Sequence, residues 1–237
     1  MNVTQTMKRL ETLGTDTYKK LWPRHGVKPP LFGVKYADLY ALQKKLAPDS
    51  KLAQQLWRTG NHDARILATL IVDPADLSAA ELDAWLRPAD NYVLSNAVAG
   101  VAARSPHAQR KADQWRKAKS EWKCAAGWDV VASMAAPGGA PDAWLAPRLT
   151  EIRKGVAGAA NRARHSMNGA LIAIGGYRPA LLTKAVGVAK AIGKVQVDHG
   201  QTGCKTPDAV PYMRKVALRA KRKAARKAGK KAKSARR

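Results

Sequence analysis

Turn residues cut this chain into pieces of similar length, and that spacing excludes most folds. From Tyr36 onward, Pro, Gly, Asp and Ser clusters separate segments with the 3.6-residue apolar period of a helix. The segments are 36–46, 51–58, 62–72, 78–88, 90–103, 106–118, 120–135, 141–154, 158–175 and 179–192. In the first, Tyr36, Leu39, Leu42 and Leu46 share a face and Lys44 and Lys45 point away. Ser78 with Glu81 makes a capping box for another. The alternation of a strand occurs only briefly, in "KVQVD" at 194–198, which is too little for a sheet. Short helices joined by tight turns predict an all-α protein, a curved solenoid of antiparallel helical hairpins of HEAT type. No exact repeat has a fixed period, so a plain helical bundle remains the competing architecture.

Three regions are expected. Residues 1–30, which include "WPRHGVKPP", read as an N-terminal helix followed by an arm or linker. Residues 31–213 read as the helical-repeat domain. Residues 214–237 contain 13 Lys or Arg and no acid, and nothing large and apolar follows Leu218, so a disordered basic tail is expected there.

Charge narrows the partner. The net charge is +26, and half of the excess lies in that last stretch. The body is basic even without it. A polyanion partner follows, most simply DNA or RNA. The longest apolar run, "GALIAIGG" at 169–176, is too short to cross a bilayer, and no membrane partner is expected. The N-terminus lacks the apolar stretch of a signal peptide, and two Cys 80 positions apart make no disulfide framework. A monomer in the cytoplasm is expected, nucleoid-associated if the source is bacterial.

The densest group of reactive side chains is "VDHGQTGCKTPDA" at 197–209. Asp198, His199 and Cys204 suit nucleophilic chemistry, and with Asp208 they approach a zinc set, but with unusual spacing and no CxxC unit. The favoured reading is a tight loop. In it Gly200 and Gly203 permit positive φ, the two Asp bond nearby amides, and Pro207 leads into a helix. No metal and no cofactor are expected. Trp57, Trp85, Trp115, Trp128 and Trp144 lie at apolar helical positions and are expected in the core.

The segment "IGKVQVDHGQTGCKTPDAVPYMRKV" (192–216) resembles the C-terminal signature of the DNA alkylation repair family, the AlkD-like proteins. "NRARHSMNGALIAIGGY" (161–177) resembles the helix before it, and 31–46 and 56–73 resemble the N-terminal half. The resemblance implies a HEAT-like solenoid that holds duplex DNA on its concave face. It also implies hydrolysis of the N-glycosidic bond of alkylated purines in active members. Those enzymes place an Asp and flanking Trp residues in the cleft. Carried over to "ADNYVLSNAVAG" (89–100), the Trp position falls on Asn91 and the Asp position on Ser95, with the second Trp near Ala170. A serine brings no charge to a cationic sugar. The expectation is a non-catalytic or weakly catalytic DNA-binding member that contacts duplex DNA, alkylated or otherwise structured.

Two other readings stay open. One is an active 3-methyladenine or 7-methylguanine glycosylase using a displaced carboxylate, Asp90 or Asp129. The other is a protein-binding scaffold whose tail localises it to nucleic acid. The residues expected to contact DNA are Asn91, Ser95 and Asn96, then Lys123, then Arg162, Arg164, His165 and Asn168.

Overall fold

A computed structural model describes residues 1–234, apart from the side chains at 223–224 and 227–234. The described residues form helices and no strand. The α-helices are α1 Val3–Leu13, α2 Asp16–Leu21, α3 Tyr36–Leu46, α4 Ser50–Arg58, α5 His62–Ile71, α6 Ala79–Leu86 and α7 Tyr92–Ala102. There follow α8 Ala108–Trp115, α9 Glu121–Met134, α10 Asp142–Gly155, α11 Asn161–Tyr177, α12 Leu182–Ile192 and α13 Ala209–Ser234. The all-α class and the segment lengths match the sequence reading.

Side chains set most of the starts. Asn2 with Gln5, and Ser78 with Glu81, form complete capping boxes on α1 and α6. Asp49, Asn61 and Asn91 each accept an amide at the third residue of α4, α5 and α7.

The chain divides into two compact units, one of residues 1–130 with 198–204 and the other of 131–197 with the chain from 205 onward. In the first, α5 packs against α3, α4 and α7, α6 packs on α7, and α1 lies on α4 and α5. Trp57 and Trp85 stack in its core, 4.3 Å between ring centroids and 2° from parallel. Trp115 and Trp128 are buried as expected, while Trp144 is half-buried. In the second unit α11 packs against α10, α12 and α13. Arg178 closes the C-terminus of α9 there, donating to the carbonyls of Met134, Ala135 and Ala136.

Two regional expectations need correction. Residues 1–30 are packed and do not form a free arm. Trp22 is 8% exposed, its indole N–H donates to the Val34 carbonyl at 3.3 Å, and its ring meets Tyr36, His25 and His62. Burying an indole repays ordering the segment that carries it. The second is the boundary at 213/214, which falls inside α13. That helix continues because Ala, Lys and Arg are strong helix formers and its first turns are anchored. Met213 is fully buried, and Gly175 and Gly176 let α13 approach α11 closely. Residues 235–237 of the expected tail lie outside the described residues.

Candidate nucleic-acid interface

On α7 the geometry sorts capping groups from groups that face open space. Asn91 is buried at the N-cap. Its Oδ1 accepts the Leu94 amide at 3.0 Å and its Nδ2 donates to Asp90 Oδ1 at 2.9 Å. Ser95 is 0% exposed, and its hydroxyl reaches the Tyr92 carbonyl at 3.4 Å. Burial and local bonding occupy both side chains. One position is a rotation of about 100° on a helix. Tyr92 and Asn96, one turn apart on α7, line a cavity of about 480 Å³, together with the apolar Val93 and Ala97 of the same helix. A cleft-facing aromatic and polar pair on this helix is thus Tyr92 and Asn96, one residue beyond the positions carried over from the resemblance.

The rest of the cavity wall was not read from sequence. Trp22 and His25 come from the N-terminal segment, Tyr36 and Tyr40 from α3, and Thr69 from α5. The His25 ring bonds the Tyr92 hydroxyl. The Tyr36 phenol is pushed up to about 12, first by burial and then by Tyr40, Tyr92 and Asp63, so it remains a protonated donor at neutral pH. Arg104, exposed at the margin, is held by bonds to the carbonyls of Gly100 (3.0 Å) and Thr69 (3.4 Å). Aromatic faces interleaved with phenol, amide and guanidinium donors suit a nucleobase or a sugar face. Among the described residues, none that line this cavity is Asp or Glu.

Beneath the wall lies Asp63, buried, whose carboxylate accepts the amides of Phe32 (2.6 Å), Gly33 (3.1 Å) and Val34 (3.0 Å). It fixes the strand-like connection that leads into Tyr36. Asp63 stands thirty residues from its partners, and sequence spacing carries no signal for such a contact.

The remaining candidates divide. Asp90 is exposed and pairs with Lys28 at 3.0 Å. Burial pushes its carboxyl up, but the bonds from Lys28 and Asn91 hold it below the ordinary carboxylate value. Neither Asp90 nor the half-buried Asp129 lines the aromatic cavity. Lys123 is half-exposed and ion-paired, with its Nζ 3.5 Å from Asp83 Oδ1. In the second unit Arg162, Arg164 and His165 are half-buried on α11. Asn168 points inward and donates to the Pro207 carbonyl at 2.9 Å, so it is corrected to a structural role. On α13 the side chains of Arg214, Lys215, Arg219, Lys221, Arg222 and Arg226 are exposed.

The 197–209 segment is a folded turn. Asp198 Oδ1 accepts the Gly200 amide, Thr202 caps locally through the His199 carbonyl and the Cys204 amide, and Asp208 Oδ1 accepts from Val210. Gly200 has φ +57°, as the loop reading expects, whereas Gly203 does not adopt a positive φ. Cys204 is an exposed thiol. No group of three or more His, Cys, Asp or Glu among the described residues is gathered as a metal site needs. No described helix is long and apolar enough to cross a membrane.

Comparison with known proteins gives the family and relatives of the fold. Residues 6–227 match the family described as DNA alkylation repair enzyme. The uncharacterized protein Lin0241 of Listeria innocua is 29% identical over 214 residues, covering 87% of this chain and 93% of its own. The uncharacterized protein Lmo0209 of Listeria monocytogenes is 28% identical over 219 residues, covering 90% and 96%. A solved structure aligns with a TM-score of 0.84 and 29% identity over 92% of this chain and 95% of its own. It is described as a new family of proteins related to the HEAT-like repeat DNA glycosylases with affinity for branched DNA structures.

Proposed function

Because the chain belongs to the DNA alkylation repair enzyme family, we propose that it is a DNA-binding member of that family that does not excise bases. It grips the sugar-phosphate backbone through its cations and presents the aromatic cavity of the first unit to the DNA. The carrying observation is that cavity: the polar α7 side chains lining it are Tyr92 and Asn96, and among the described residues no carboxylate lines it. A developing oxocarbenium ion needs a fixed negative charge beside it, and an amide supplies only a dipole. The charge of +26 supports a polyanion as the partner. The structural relative's affinity for branched DNA makes a junction the first substrate to try alongside duplex.

The test uses the full chain in two assays. Binding to duplex and to a four-way junction is measured across a salt series, with a steep negative slope of log K against log salt expected. Release of 7-methylguanine and 3-methyladenine from alkylated duplex is measured in parallel, with none above background expected. Base release that disappears in Asp90→Asn would establish a glycosylase working through a displaced carboxylate. Failure to bind either DNA would leave the protein-binding scaffold.

A further inference from the structure

A second hollow, of about 290 Å³, opens on the first unit at the N-terminus of α5. Its polar lining is Lys28, His62, Arg65, Asp90 and Asn91. His62, the first residue of α5, is 5% exposed and stands against the Trp22 ring, 6.0 Å between centroids. Among the described residues its imidazole has no hydrogen-bond partner, although it lines the hollow. The ring nitrogens are thus left for whatever fills the hollow.

Arg65 lies one turn further along α5. Its guanidinium carbon sits 5.3 Å from the Trp57 ring centroid, and its Nε donates to the Trp57 carbonyl at 3.4 Å. These contacts fix the plane of the fork and leave both Nη atoms without a protein partner among the described residues. Lys28 Nζ is 3.0 Å from Asp90 Oδ2. The ionised lining is therefore two cations and one carboxylate, an excess of a single positive charge. The positive end of the α5 dipole adds to it.

From this arrangement we infer that the hollow is a phosphodiester-binding subsite. The Arg65 Nη groups and Lys28 Nζ take the non-bridging oxygens, and the His62 ring N–H gives a further donor. One surplus positive charge matches the monoanionic diester better than a dianionic phosphate monoester. Under the DNA-binding function proposed above, on which the choice of source rests, the diester is a backbone phosphate.

Dimethyl phosphate, inorganic phosphate and a short duplex are titrated separately into the ¹⁵N-labelled full chain. The His62 ring nitrogens and the Arg65 Nε–H are followed, assigned with His62→Gln and Arg65→Gln. Dimethyl phosphate and duplex are expected to shift both signals, and inorganic phosphate to do so more weakly. Arg65→Gln is expected to weaken duplex binding about tenfold and to reduce the salt slope by about one contact. Lys28→Gln, at an exposed side chain, is expected to act in the same direction if Arg65→Gln does not fold. If duplex binds while both signals stay still in every titration, the subsite is refuted and DNA binding stands. If dimethyl phosphate shifts the signals but duplex does not bind, the subsite stands and the DNA source is refuted. A stronger response to inorganic phosphate than to the diester overturns the diester assignment.

Discussion

Lys111 Nζ lies 2.7 Å from Asp83 Oδ2, on a side chain only 2% exposed. The same carboxylate accepts the Trp115 indole N–H at 2.6 Å and faces Lys123 at 3.5 Å. Asp83→Asn would leave the Lys111 ammonium buried without its counter-charge, an expected loss of about 3–5 kcal/mol in urea unfolding. Burial acts to raise the Asp83 pKa, but the Lys111 and Trp115 hydrogen bonds and the two lysine charges bring it below the ordinary value. A depressed carboxylate stabilises fully above its unfolded pKa of about 3.9 and loses that contribution as pH falls through its folded value. The gap between wild type and Asp83→Asn should therefore narrow below about pH 4.

His62 gives a dependence of the same sign in a higher pH range. Burial lowers its pKa, with Arg65 acting in the same direction and Asp63 and Asp90 opposing. Below about pH 6.5 the unfolded chain binds a proton that the folded chain refuses, so stability falls as pH drops through that range. Urea midpoints from pH 8 to 5 should decline less in His62→Gln than in wild type.

Gly176, like Gly175, lies where α13 packs tightly on α11. A Cβ built there would lie 2.5 Å from Val216 Cγ1 and 2.6 Å from Val216 Cβ. Gly176→Ala is expected to cost about 1–3 kcal/mol by overpacking. Adding Val216→Ala should recover part of the loss, and a double-mutant cycle on thermal unfolding would read that coupling.

Removing residues 219–237 should separate charge from folding. The truncated chain keeps Met213 and Val216 and loses the distal cations. Its melting temperature is expected to change little, while the salt slope of DNA binding becomes shallower. An unchanged slope would remove the part of α13 beyond Leu218 from the DNA contact surface.

Helix positions were legible because they depend on local signals. Tyr36–Leu46 and the Ser78–Glu81 box occur where period and capping chemistry place them. Long-range partnerships were not legible. Trp22 sits in a Pro- and Gly-bearing stretch that reads as a linker, and only the folded body supplies the cavity that takes its ring. Asn91 had a legible alternative. An Asn before an apolar helix is a capping signal, yet the same letter suits a DNA contact, and its non-helical φ of −150° decides between them. Of the three α7 positions read as contacts, Asn96 lines the aromatic cavity, while Ser95 lies in the interior.

The close seat of Met213 and Val216 against Gly175 and Gly176 gives the basic end of the chain a fixed bearing. A loose tether would let captured DNA swivel freely. A rod cantilevered from a tight joint transmits torque instead, so nucleic acid lying along α13 would be aimed at one angle to the unit that holds it.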